Sequence, residues 1–150
     1  IDANLRRPIQ HEAFRITQHP GLTDHVIGGA PLSECLREVG VQNLSVLPAG
    51  RAAIAPSRVL GDQRMKQLLA SLKGRFAHVV VDVAPVVAFA EGIQFSREVD
   101  GVVVVIHAGR TKRELVERAL ELFDEAGARV LGTVLNRRRY RIPTFIYEHM

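Results

Sequence analysis

The chain has 150 residues, enough for one domain with a real hydrophobic core. It is 47% hydrophobic, 24% charged and free of Trp, the ordinary composition of a soluble α/β protein. Its single cysteine, Cys35, excludes a disulfide framework or a cysteine-built metal site within one chain, and its longest apolar run, Gly101 to Ile106, is too short to span a bilayer. A reducing, cytoplasmic setting is expected.

Ile1-Asp2-Ala3-Asn4-Leu5-Arg6-Arg7-Pro8 reads as a strand cut just before its end, so a fragment or processed piece is expected. From Pro8 to Pro31 the sequence is polar, with turn signals at Pro20-Gly21 and Gly28-Gly29 and short helices expected around His11–Phe14 and Leu22–Ile27. Asn43 to Pro48 reads as a short strand closed by Pro48-Ala49-Gly50. Asp62 is placed to cap a helix whose Met65, Leu68, Leu69 and Leu72 recur at i, i+3, i+4 and i+7, with Gly74 just past its end.

The next stretch, His78-Val79-Val80-Val81-Asp82-Val83-Ala84-Pro85, is apolar on successive residues, the pattern of a strand covered on both faces by helices. Two more buried-type strands follow, Val102–His107 and Val130–Leu135. Between them Thr111 and Glu114 have the spacing of a capping box. The helix they open carries the stripe Leu115, Val116, Ala119, Leu120, Leu122, Phe123 and Ala126, and Gly127 closes it. Strands alternating with amphipathic helices predict right-handed βαβ units and a doubly wound, mostly parallel sheet flanked by helices. The net charge of +4 is concentrated in Arg137, Arg138, Arg139 and Arg141. This run suits phosphates or acidic lipid heads, or is simply a solvated tail; with no interleaved aromatics, nucleic acid is not expected as a partner.

A parallel sheet delivers all its strand C-termini to one edge, where open α/β sheets bind ligands. Here those ends are Asp2-Ala3-Asn4, Asp82, His107-Ala108-Gly109-Arg110 and Asn136-Arg137. Two carboxylates and an amide at one rim suit a magnesium nucleotide. Strand ends are often polar for no other reason than to start a turn. The six histidines lack metal-ligand spacing, which argues against zinc, and Ser57 and Ser96 lack a nucleophile-elbow context. Cys35 reads as a small core residue. Glu91 reads either as an outer-sphere partner of a metal or as a solvent-facing helix start.

The series Asp2-Ala3-Asn4-Leu5-Arg6-Arg7-Pro8, Leu60-Gly61-Asp62-Gln63-Arg64-Met65, Val80-Val81-Asp82-Val83-Ala84-Pro85 and Val134-Leu135-Asn136-Arg137 resembles the bacterial tyrosine kinases (BY-kinases) of polysaccharide export. Gly21-Leu22-Thr23-Asp24, Leu47-Pro48-Ala49-Gly50 and the passage Ala126 to Gly132 extend the likeness over nearly the whole chain. That family sits with MinD and ParA in the P-loop ATPase group. The resemblance implies that Asp2 is the first aspartate of a Walker A-prime D-x-D-x-R motif, helping to deprotonate an acceptor tyrosine and hold Mg²⁺. Asn4 stands where the second aspartate is usual, and Arg6 matches the arginine. Asp82 corresponds to the Walker B aspartate, with Ala84 replacing the first of a common Pro-Pro pair. Asn136, with Arg137 alongside, is implied to read the adenine edge of ATP, and Tyr140 and Tyr147 to be candidate phosphoacceptors.

The family's P-loop, G-x-x-x-x-G-K-[ST], should lie upstream of Asp2, and nothing in the 150 residues matches it. The resemblance therefore implies a P-loop NTPase-like fold missing its first strand and P-loop, and a fragment inactive by itself. Residues 1–136 are read as the C-terminal part of the nucleotide-binding domain and 137–150 as a basic, tyrosine-containing tail. The implied activity is ATP-dependent tyrosine autophosphorylation controlling exopolysaccharide or capsule chain length. Implied too are a homo-oligomer, a membrane-embedded chain-length regulator as partner, and a location at the inner face of the cell membrane. Two alternatives stay open: a MinD- or ParA-like regulatory ATPase, and a degenerate, non-catalytic docking module.

Overall fold

The structure is a computed structural model that describes residues 1–51 and 55–138. Its elements in chain order are α1 (Gln10–Ala13), α2 (Leu22–Val26), α3 (Leu32–Cys35), β1 (Arg37–Glu38), β2 (Ser45–Val46), α4 (Pro56–Leu60), α5 (Gln63–Lys73), α6 (Glu91–Phe95), a 3₁₀ turn (Ser96–Glu98), β3 (Val102–His107), α7 (Arg113–Glu125) and β4 (Val130–Asn136). Tyr140, Tyr147, Arg139 and Arg141 lie outside the described residues, as does most of the tail read at 137–150.

Helix α5 forms as its local signals dictate. The Asp62 carboxylate accepts the Arg64 N–H at 2.8 Å, satisfying one of the donors a helix start leaves free, and Met65, Leu68, Leu69 and Leu72 are all buried. These four enter a core that also takes Ala3, Leu5, Leu22, Val26, Leu47, Val59 and Phe95. Each large side chain buried there contributes about 1.5–3 kcal/mol. Cys35 is a fully buried member of the same core, as expected of a small core residue.

Helix α2 is locked to the Pro48-Ala49-Gly50 turn. Leu22 N–H donates to Pro48 O (2.7 Å), Thr23 N–H to Ala49 O (3.0 Å), and the Thr23 hydroxyl to Arg51 O (3.1 Å). Gly50 sits at φ +83°, a left-handed conformation that favours glycine. The turn fixes Leu47, whose carbonyl accepts the Asp2 N–H at 2.9 Å and so sets the edge on which Asp2 is held.

Four sequence expectations about the fold need correction. The expected strand Val79–Val83 is reduced to a parallel bridge between Asp2 and Asp82. Ile1 N donates to Val80 O, Asp82 N to Ile1 O and Ala3 N to Asp82 O, at 2.8–2.9 Å, and among the described residues no segment pairs with its other flank. A ladder needs a neighbour, and three residues of partner sustain only a bridge. Val79, Val81 and Val83 pack on the core while Val80 is 77% exposed, so the segment alternates instead of being buried on both faces.

The second correction concerns the Asn43–Pro48 strand. Only Ser45–Val46 is extended, and it pairs antiparallel with β1, an element the sequence reading did not foresee. The third is the cap of α7. Its N-cap is Lys112, no side chain caps it, and the Thr111 hydroxyl instead accepts the His107 N–H at 3.1 Å.

Strands β3 and β4 pair in parallel, from Val102 opposite Val130 to His107 opposite Asn136. The βα-type crossover through α7 is thus realised, as the alternation of patterns predicts. Their burial differs from expectation: Val103, Val105, Leu131, Val134 and Leu135 are exposed, and α7 buries only Ala119 and Phe123. Among the described residues β3–β4 is a separate two-stranded sheet.

Candidate functional site: an acidic pair at the strand ends

Asp2 is fully buried and Asp82 partly buried, and the parallel bridge sets the two residues side by side. One Asp2 oxygen, Oδ2, accepts the backbone N–H groups of Ile9 and Gln10, each at 3.1 Å. The other, Oδ1, is buried with no hydrogen-bond partner. Burial pushes the Asp2 carboxyl above the ordinary aspartate range, the backbone N–H groups of Gln10, Ile9 and Asn4 pull the other way, and the neighbouring Asp82 adds to the rise. Asp82 Oδ2 in turn accepts the Gln10 side-chain amide at 2.7 Å. Gln10 thus touches both carboxylates, and sequence reasoning missed it: nothing in its local pattern marks it, because it acts across 72 residues of chain.

The raised Asp2 pKa has a testable consequence. In the folded chain Asp2 holds its proton to higher pH than it does unfolded, so stability falls as pH rises through the folded value and the penalty vanishes below the unfolded one. Asp2→Asn has no such penalty. Its Tm should exceed the parent's at pH 7, and the gap should close as the pH approaches the unfolded carboxylate range. Fluorimetric melts across pH 3–8 check this.

Asn4 acts on the pair only through its backbone N–H, which favours the charged form of Asp2. Its side-chain oxygen accepts the Arg7 N–H at 3.3 Å and closes the turn that follows Asp2. Arg6 is engaged elsewhere: its Nε donates to Glu91 Oε1 at 2.7 Å and its guanidinium lies 4.0 Å from the Phe89 ring centroid. That hydrogen bond holds the Glu91 carboxyl below its usual range. Glu91 is the helix start the sequence allowed but does not face solvent: it opens α6 with its side chain only 11% exposed and turned to Arg6.

Asn136 and Arg137 lie at the end of β4, on the sheet that shares no ladder with Asp2 and Asp82 among the described residues. The Asn136 side chain accepts the Arg137 N–H at 2.8 Å, and Arg137 has φ +57°. The structure therefore brings Asp2 and Asp82 together and sets Asn136 and Arg137 on the second parallel pair. Among the described residues no three His, Cys, Asp or Glu side chains gather into a metal cage. Mg²⁺ does not require one: it commonly takes one or two carboxylates and completes its shell with water and phosphate oxygens. An anionic oxygen lacking any donor, as at Asp2 Oδ1, is the kind of group that such an ion satisfies. A cleft of about 250 Å³ opens beside Asp82, lined by Ile1, Gln10, Phe14, Leu47 and Val80 among others.

Parallel strands with flanking helices and polar strand ends define an α/β fold, and its structural relatives identify it as the P-loop NTPase kind. The kinase domain of VpsO superposes with a TM-score of 0.86 at 30% identity, over 92% of this chain and 68% of that one. The kinase domain of the Escherichia coli tyrosine kinase ETK superposes with a TM-score of 0.83 at 25% identity, over 95% and 57%. The tyrosine-protein kinase Ptk of Acinetobacter johnsonii is 35% identical over 136 residues, and CpsD of Streptococcus agalactiae 30% identical over 146. The chain belongs to the bacterial tyrosine-protein kinases. It spans 19% of the length of Ptk and 64% of CpsD, and 91% and 97% of its own residues are matched. A comparison with protein-family models finds no match. Among the described residues no helix is long and apolar enough to cross a membrane.

Proposed function

We propose that the chain is the C-terminal portion of an ATP-dependent protein-tyrosine autokinase regulating exopolysaccharide or capsule chain length. The observation that carries the reading is the Asp2–Asp82 bridge, two carboxylates on adjacent parallel strands with one buried oxygen left without a donor. Asp2 and Asp82 would hold Mg²⁺, which when bound supplies charge neutralisation for a transferring phosphoryl group. Asp2, whose proton affinity burial has raised, is the group suited to receive the acceptor tyrosine's proton. Arg6, braced by Glu91 and Phe89, would steady the loop that carries Asp2.

Asn136 and Arg137 would contact the adenine, and Tyr140 and Tyr147 would be phosphorylated by a neighbouring subunit of a homo-oligomer. The β- and γ-phosphates would need a P-loop, which this reading assigns to a segment ahead of Asp2. The partner would be a membrane-embedded chain-length regulator, placing the domain at the inner face of the membrane. Relatives that are tyrosine-protein kinases of streptococci, staphylococci and enteric bacteria support the activity.

One observation favours a second reading. Asn4 lacks the charge usual at its position and spends its side chain on a turn, as a degenerate docking module would allow. The two separate in one experiment. The protein carrying the preceding segment is incubated with Mg-ATP, and phosphotyrosine is mapped by mass spectrometry. Phosphate on Tyr140 or Tyr147 is expected; neither phosphate nor calorimetric heat of nucleotide binding would leave the docking module.

A further inference from the structure

Among the described residues, Gln10 is the one that hydrogen-bonds both carboxylates of the pair. Its backbone N–H donates to Asp2 Oδ2 at 3.1 Å and its side-chain amide to Asp82 Oδ2 at 2.7 Å. It follows Pro8-Ile9 at the head of α1, so the turn after Asn4 returns the chain to the strand ends and presents the carboxamide there. Asp82 forms its backbone bonds to Ile1 and Ala3 without help from its side chain. The Gln10 bond thus does not build the ladder; it occupies a carboxylate oxygen.

A hard divalent cation draws on oxygen lone pairs at about 2.0–2.1 Å in near-octahedral geometry. An amide N–H bound to Asp82 Oδ2 takes one of those lone pairs and sets a donor where the ion's shell would form. Asp2 Oδ1, buried and without a partner, offers the complementary vacancy on the other carboxylate. We infer that Gln10 is a positioning residue that competes with the divalent cation: it holds Asp82 while the cation is absent and must release it for the cation to bind. This rests on the reading of Asp2 and Asp82 as the metal locus.

The experiment titrates Mn²⁺ into the protein with its preceding segment and ADP, reading free Mn²⁺ by electron paramagnetic resonance. Parent, Gln10→Ala and Gln10→Asn are compared; the last keeps the amide but is too short to reach Asp82. Both variants should bind Mn²⁺ about 5- to 10-fold more tightly. Without cation both should melt slightly below the parent, and the rise in Tm on adding Mn²⁺ should be larger than the parent's. Unchanged affinity overturns the competition while leaving the metal locus standing. Weaker binding in the variants also overturns it, by making Gln10 a ligand. No Mn²⁺ bound by any of the three removes the metal locus itself, and the inference with it.

Discussion

Gly21→Ala is expected to lower the Tm of this chain by roughly 6–12 °C, corresponding to a loss of about 3 kcal/mol or more. A Cβ on Gly21 would overlap the Pro48 carbonyl oxygen and the backbone of Gly50. Both are main-chain atoms in a turn held by Leu22 and Thr23, so no flexible side chain can swing aside to make room. Relief requires α2 to move off the turn, which breaks the Leu22–Pro48 and Thr23–Ala49 bonds and uncovers Leu22 and Val26, both completely buried. Gly40→Ala is the matched control. Gly40 has φ +69° with nothing within 4 Å of an added Cβ, so it carries only the backbone penalty of about 1–2 kcal/mol. Melting curves of the two variants side by side check the claim, and a smaller loss for Gly21→Ala than for Gly40→Ala would contradict it.

Asp82→Asn, made in the protein with its preceding segment, should reduce tyrosine autophosphorylation about 100-fold or more on the proposed reading. The fold should survive, because Asp82 enters the bridge through its backbone N–H and carbonyl and not through its carboxylate. The neutral amide keeps the shape but loses the charge a divalent cation needs. Quantitative phosphopeptide mass spectrometry alongside a melt separates the two effects: activity falls while Tm stays within about 2 °C of the parent. Retained autophosphorylation would remove Asp82 from the metal locus.

What the sequence allowed one to see depended on how local each signal was. The α5 helix was legible because Asp62, its apolar spacing and Gly74 all lie within one turn of where they act. The cap of α7 was not, because the Thr111 hydroxyl had a second suitor, the His107 N–H, and took it. The valine run before Asp82 suggested burial on both faces, yet the number of neighbouring strands is a property of the assembled sheet; Val80 is outside and its neighbours are inside. Strand β1 was invisible, since Arg37-Glu38 has no alternation to read and exists only by pairing with Ser45-Val46.

The acidic rim shows the same division. Asp2 and Asp82 were found from their places at strand ends, and the bridge sets them side by side. Which partners they and Arg6 would take was hidden, because Gln10 reaches Asp82, and Glu91 reaches Arg6, only once distant segments have folded together. The α/β reading held because alternation of strand and helix patterns survives local errors of extent.

The β3–β4 pair carries a consequence for anyone handling this polypeptide. Two parallel strands form a ribbon whose outer margins meet no other strand among the described residues, and Val103, Val105, Leu131, Val134 and Leu135 stand in water along it. Main-chain donors and acceptors left idle beside aliphatic side chains are a template for annexing a further strand, from whatever chain supplies one. Concentration-dependent association of the isolated chain, read by light scattering, is the expected result of such a margin.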